Sequence, residues 1–287
     1  MKLCRFSVDG SAERLGVVEG DVVRDVTAVL DALPAYRVPL PTFDPVIAAL
    51  PDLLPAIRAM LPHASTHALS QVALLSPVGN PGKVVAAPVN YRKHLDEVNE
   101  DSALHHGNQI NEIHRAGLFL KAPHSIIGPS RPVVLRHTDR RNDHEVELVA
   151  IIGRRANQVL AEDALGYVAG YCIGLDMTLR GPEERSLRKS IDSYTVLGPW
   201  MVTADEFGDP ADVGLMIDVD GVRRQQARTS DLILSVRALI AFASSFYTLE
   251  PGDVLMTGTP EGVGPVVPGC VMTATIERIG TMRVAVA

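Results

Sequence analysis

The run Asp143-His144-Glu145-Val146-Glu147-Leu148-Val149-Ala150-Ile151-Ile152-Gly153 constrains this chain more than any other segment. It opens with polar residues and passes into an unbroken apolar stretch, the pattern of a strand whose far end lies in a core. Side chains alternate between the two faces of a strand, so Glu145 and Glu147 point the same way. Two carboxylates about 7 Å apart on one face repel each other unless something neutralises them, and a bound cation is the simplest remedy. Taken alone, the pair also fits a solvated strand edge. A second run, Tyr171-Cys172-Ile173-Gly174-Leu175-Asp176, is apolar and ends in a single aspartate. An acid at the end of a buried strand is rarely a surface accident. Three carboxylates at strand ends can make an octahedral site with positions left for water and substrate. An all-oxygen ligand set favours Mg²⁺ or Mn²⁺ over Zn²⁺. Glu145, Glu147 and Asp176 are therefore the expected metal ligands. His144 faces away from both glutamates by the same alternation and is not counted with them.

The rest of the chain narrows the setting. Of its 287 residues 46% are apolar and 21% charged, the balance of a soluble globular protein with a sizeable core. The net charge of −7 and the lack of any basic run argue against nucleic acid as a partner. No stretch approaches the roughly 20 apolar residues of a membrane span. The start, MKLCRFSVDG, lacks the apolar core of a signal peptide. Cys4, Cys172 and Cys270 are scattered, which fits neither a disulfide framework nor a zinc site, and a reducing cytoplasm is expected. Residues 1–76 read as a small N-terminal α+β domain: short strands, a stretch with Pro34, Pro39, Pro41 and Pro45, and two short helices at 46–50 and 53–60. Residues 77–287 read as the catalytic domain. Strands are expected at 84–87, 125–128, 133–135, 146–152, 169–175, 215–219, 254–257 and 273–276, with helices at 161–168 and 235–246. Many strands with few helices imply an α+β fold that is mainly β.

Several motifs occur in one order: Asn90-Tyr91-Arg92-Lys93-His94-Leu95-Asp96-Glu97, Asp143-His144-Glu145-Val146-Glu147-Leu148, Asp176-Met177-Thr178-Leu179-Arg180, Lys189-Ser190-Ile191-Asp192, Leu197-Gly198-Pro199-Trp200, Leu249-Glu250-Pro251-Gly252-Asp253 and Thr257-Gly258-Thr259-Pro260-Glu261-Gly262-Val263-Gly264. Through them the sequence resembles the fumarylacetoacetate hydrolase family, from about residue 83 to the end. The resemblance implies a mixed β-roll catalytic domain, a homodimer, Mg²⁺ or Mn²⁺ on the two glutamates and the aspartate, and substrates that are acids bearing a 1,3-dioxo or 2-oxo group. Two departures stand out. Pro88 replaces a usual Gly, and Gly181-Pro182-Glu183 follows Arg180 where the family has R-D-x-Q.

A metal chelating two oxygens of such a substrate needs working partners. His94 and Glu97, three apart on a helix, share a face; the histidine can deprotonate water while the glutamate orients it. A solvated helix with an incidental ion pair gives the same spacing. Lys189 can stabilise developing negative charge. Arg180 can grip a substrate carboxylate or brace a metal-ligating one. Thr259, in a glycine-flanked turn, can present its hydroxyl to an oxyanion. Tyr91, Lys121 and Gln225 are further substrate-pocket candidates, with Arg228 beside them. His105, His106 and His114 read as a solvated lid loop. The leading expectation is metal-dependent hydrolysis of a carbon–carbon bond in a small dioxo-acid, an acylpyruvate or a fumarylacetoacetate-like compound, in aromatic catabolism. The alternatives are an oxo-acid decarboxylase or a tautomerase at the same site, and a non-catalytic ligand-binding relative.

Overall fold

The computed structural model describes residues 1–101, 104 and 112–287. Its centre is the Val146–Ile152 strand, buried at every position. Alternation splits this strand between two cores. Val146, Leu148, Ala150 and Ile152 pack into one cluster, while Val149 and Ile151 pack into the other. Val168–Asp176 flanks it on one side and Val254–Met256 on the other, both antiparallel. Thr195–Thr203 pairs with the far edge of Val168–Asp176. Val84–Ala86 runs parallel to Val254–Met256. Among the described residues these strands belong to a single twelve-stranded sheet. The arrangement is the sheet-dominated α+β fold that the sequence leads one to expect.

Neighbouring strands leave this sheet at one level, and that exit positions the site. Asn142–His144 pairs with Thr178–Leu179 and with Gly264–Pro265 in a separate three-stranded sheet. The chain therefore changes sheets at Glu145, again at Asp176-Met177, and again after Met256. Gly214–Val219, Val222–Arg228, Val271–Ile276 and Gly280–Ala285 form a four-stranded antiparallel sheet beside it. The helix Val236–Phe246 starts at Ser235, whose side chain accepts from the Ala238 N–H, and buries Val236, Leu239, Ile240 and Ala243.

The strands of residues 1–76 extend the large sheet through Lys2↔Val202 and Leu3↔Met201. Their helices are Pro45–Ala48, capped by Asp44, and Leu50–Met60. Leu50, Leu53 and Ile57 join the core that also receives Val149 and Ile151. Other expectations are corrected. Residues 161–168 form only a 3₁₀ turn at Ala164–Tyr167 before the strand begins at Val168. Residues 133–135 contribute one isolated bridge, Val133↔Val286, rather than a strand. Thr195–Thr203 is a strand that was not among those expected, with Gly198-Pro199 inside it. Among the described residues no helix is long and apolar enough to cross a membrane.

Candidate active site

Glu145, Glu147 and Asp176 meet where the strands change sheets. Each offers an oxygen, and the three lie within 4.8 Å of one another, all buried. Buried like charges this close need compensation. Lys189, at the end of the short helix Arg185–Lys189, donates to Glu145 Oε2 at 2.8 Å, Asp176 Oδ2 at 2.7 Å and Thr178 Oγ1 at 2.6 Å. All three of its N–H donors are committed. Lys121 donates to Asp176 Oδ1 and to the Tyr194 carbonyl. Arg180 donates from Nε to Asp143 Oδ2 at 2.8 Å and from a terminal nitrogen to Glu145 Oε1 at 2.9 Å. Of the two roles the sequence leaves open for Arg180, the geometry shows it engaged with a carboxylate of this cluster, Glu145.

Charge compensation stops at Glu147. Its Oε2 accepts only the Gly258 N–H, at 2.8 Å, and among the described residues it forms no ion pair. Burial, then Asp176 and Glu145, hold its carboxyl well above the usual range. For Glu145 burial pushes upward too, but Lys189 and Arg180 outweigh it and hold the carboxyl below the usual range. A buried carboxylate short of positive charge, beside two others and with only oxygen donors converging, is the environment a hard divalent ion satisfies.

His94 stands on the cleft wall above these acids. The helix Arg92–Glu100 buries His94, Leu95 and Val98 and turns Glu97 toward His94. His94 Nδ1 lies 2.8 Å from Glu97 Oε2. The other oxygen of Glu97 accepts from the Gly262 N–H at 2.9 Å, tying this helix to the loop after Val254–Met256. Asn90 anchors the same helix: its amide donates to the Leu234 and Thr257 carbonyls, each at 2.9 Å, and accepts from the Leu234 N–H. Gly258 permits this contact, since it has φ +100 and any Cβ there would press on Asn90.

The remaining candidates separate. Thr259 lines the cleft, but its hydroxyl donates to the Val146 carbonyl and accepts from Gln225. Gln225, the buried residue of the otherwise polar strand Val222–Arg228, also donates to the Pro260 carbonyl and accepts from the Val146 N–H. It braces the Thr259 loop and does not line the cleft. His144 Nδ1 lies beside Gln225, on the far side from the acids as alternation predicts. Lys121 is sealed beneath Asp176. Tyr91 is buried, and among the described residues its hydroxyl has no hydrogen-bond partner. Arg228 is engaged on the surface with Asp212 and Glu277. His114 is exposed; His105 and His106 lie outside the described residues. Sequence reasoning missed Phe119, Arg185 and Arg188, which line the cleft of about 320 Å³ together with His94, Lys189 and the three acids. Their only signal was the spacing of Arg185, Arg188 and Lys189, which places basic side chains on adjoining faces of one turn.

Known proteins resemble this chain in sequence and fold. The profile of the fumarylacetoacetate (FAA) hydrolase C-terminal family matches residues 83–287. A maleylpyruvate hydrolase of Aquipseudomonas alcaligenes is 57% identical over 288 residues, covering 100% of this chain and 99% of that protein. The crystal structure of a maleylpyruvate hydrolase from Sphingobium sp. SYK-6, in complex with manganese(II) and pyruvate, superposes with a TM-score of 0.84 at 41% identity, covering 100% of this chain and 99% of the other. A mitochondrial oxaloacetate tautomerase of Xenopus laevis is 34% identical over 209 residues, 70% of this chain and 62% of that protein. The chain belongs to the fumarylacetoacetate hydrolase family.

Proposed function

We propose that this protein is a divalent-metal-dependent hydrolase that cleaves a carbon–carbon bond of an acylpyruvate, releasing pyruvate and a carboxylic acid, in the breakdown of aromatic compounds. The observation that carries the reading is the convergence of Glu145, Glu147 and Asp176 with the His94–Glu97 pair in one cleft. The full-length similarity to maleylpyruvate hydrolases supports it. The three acids would hold Mg²⁺ or Mn²⁺, and manganese is the ion in the Sphingobium structure. Bound there, the ion supplies Lewis acidity and a template for two substrate oxygens.

The chain's own residues supply the proton chemistry. Glu97 accepts from Nδ1–H of His94, which leaves the lone pair on Nε2, the nitrogen available to the cleft. Nε2 takes a proton from water as the water oxygen attacks the acyl carbon, and Glu97 stabilises the imidazolium. The bond to the pyruvate methylene then breaks with its electron pair on that carbon, and His94 returns the proton there to make the methyl group. Gly262 fixes the far oxygen of Glu97 and so the height of His94 in the cleft. Lys189 and Arg180 act through the charge and orientation they impose on Glu145 and Asp176.

Replacing His94 with Ala in the Mn²⁺-loaded enzyme should cost about 10²- to 10⁴-fold in kcat on an acylpyruvate, with Mn²⁺ affinity retained. Undiminished turnover removes His94 from the mechanism. An isomer of unchanged mass as the product would favour tautomerisation, the activity named for the Xenopus relative. The reading also places the enzyme in the cytoplasm as a homodimer, with residues 1–76 as a small domain set against the catalytic unit of residues 77–287. Sedimentation of the purified protein checks the dimer.

A further inference from the structure

On the cleft floor Lys121, Arg180 and Lys189 are each committed to an acid, but the outer wall holds a cation that is not matched. Arg185 and Lys189 are four residues apart on one turn, and both lie over the Phe119 ring, each 5.5 Å from its centroid. Lys189 turns its donors down into the acids. Arg185 lines the same cleft, half-buried, and among the described residues makes no hydrogen bond and no ion pair. Burial pushes its guanidinium pKa down, although an arginine so placed stays charged.

The acids that would ordinarily neutralise it are engaged elsewhere. Glu184 caps its own helix, accepting from the Ser186 N–H at 2.6 Å. Glu183 is held by both terminal nitrogens of Arg140, at 3.0 and 2.7 Å. Arg140 also donates to the Arg180 carbonyl at 2.8 Å. Gly181 makes room for this clamp, because a Cβ at that position would overlap the Arg140 guanidinium. Arg188 donates to the Glu183 and Leu179 carbonyls, at 2.8 and 3.0 Å, and adds positive charge beside Arg185, forming no ion pair among the described residues. The segment that departs from the family's R-D-x-Q pattern thus commits its acid, on the cleft rim, to Arg140 and leaves the Arg185 guanidinium facing the cleft without a carboxylate partner among the described residues.

We propose that Arg185 binds the distal carboxylate of a dicarboxylic substrate and so selects acylpyruvates with an acidic tail over those with a neutral one. The proposal rests on the hydrolase reading above. The 2-oxo acid end would lie over Glu145, Glu147 and Asp176, and the tail would reach the helix Arg185–Lys189. A planar guanidinium with free donors takes a carboxylate through two parallel hydrogen bonds, which an ammonium cannot reproduce.

The test compares kcat/KM for maleylpyruvate and for acetylpyruvate, which lacks the second carboxylate, in Mn²⁺-loaded wild type, Arg185→Gln and Arg185→Lys. Loss of one charged hydrogen-bonding partner predicts a fall of about 10- to 100-fold for Arg185→Gln on maleylpyruvate, mainly in KM. Acetylpyruvate turnover should stay nearly unchanged, and Arg185→Lys should fall between. Equal losses on both substrates, or no loss on maleylpyruvate, would overturn the proposal. If wild type turns over neither compound, the hydrolase reading fails, and calorimetric titration with maleate and with isocrotonate still decides the subsite. Tighter binding of the diacid by wild type, lost in Arg185→Gln, supports it; equal binding of the two overturns it.

Discussion

Glu147→Gln removes one negative charge from the three-acid site and keeps the shape of the side chain. The amide oxygen can still accept the Gly258 N–H that Glu147 accepts at 2.8 Å. In the metal-free protein, burial, Asp176 and Glu145 raise the Glu147 carboxyl well above its ordinary value of 4.5. A carboxyl with a raised folded pKa ionises first in the unfolded chain. Its cost to stability is therefore absent below pH 4.5 and grows as pH rises toward the folded value, by up to about 1.4 kcal/mol per pH unit. From pH 5 to pH 7 that amounts to at most about 2.7 kcal/mol, or roughly 5 °C in Tm for a chain of this size. Glutamine carries no such cost. Thermal unfolding in chelator, followed by circular dichroism, should show the variant more stable than wild type, by a margin that widens from pH 5 to pH 7. Calorimetry should show that the same variant has lost most of its Mn²⁺ affinity. A variant less stable than wild type in chelator at pH 7, or a margin that narrows with pH, would refute the reasoning.

Three further outcomes follow from the same geometry. Lys189→Met leaves Glu145 and Asp176 buried without a shared cation. It should cost about 3–5 kcal/mol in chelator, with part of the loss recovered in saturating Mn²⁺ because an ion that binds only the folded state stabilises it; equal losses with and without metal would count against that account. Gly181→Ala displaces the Arg140 guanidinium from Glu183 and the Arg180 carbonyl and should cost about 1–3 kcal/mol in urea unfolding. Titrating wild type with Mn²⁺ at pH 7 should release protons, seen as an apparent heat that varies with the ionisation enthalpy of the buffer; a heat independent of buffer would mean that Glu147 is already ionised.

The acids were legible because strand alternation is a rigid rule. Glu145, Glu147 and Asp176 follow from two runs of sequence, although the reason they converge, the change of sheet at Glu145 and after Asp176, is not written locally. His94 and Glu97 were legible as a pair three apart on a helix, but the tether from Glu97 to Gly262 spans 165 residues and left no local trace. Lys121 was a weak candidate because nothing in Phe119–Lys121 says that its ammonium is sealed beneath an aspartate. Gln225 was named for the substrate pocket, but nothing in its mostly exposed strand says that the Thr259 loop folds over that sheet edge and takes up its amide. Thr195–Thr203 was not legible as a strand because Gly198-Pro199 interrupts the strand pattern; the strand is buried along its whole length, and its register with Val168–Asp176 slips between Tyr171 and Ile173. The expected helix at 161–168 failed for a related reason. Its residues suit a helix, but the chain has to enter the central sheet at Val168 and keeps only one turn.

The central claim, that the cleft breaks a carbon–carbon bond, is tested most directly by following products. Purified enzyme loaded with Mn²⁺ and given maleylpyruvate should form pyruvate and maleate in equal amounts, with chelator abolishing both. An isomer of unchanged mass, carbon dioxide, or no product from the metal-loaded enzyme would contradict it.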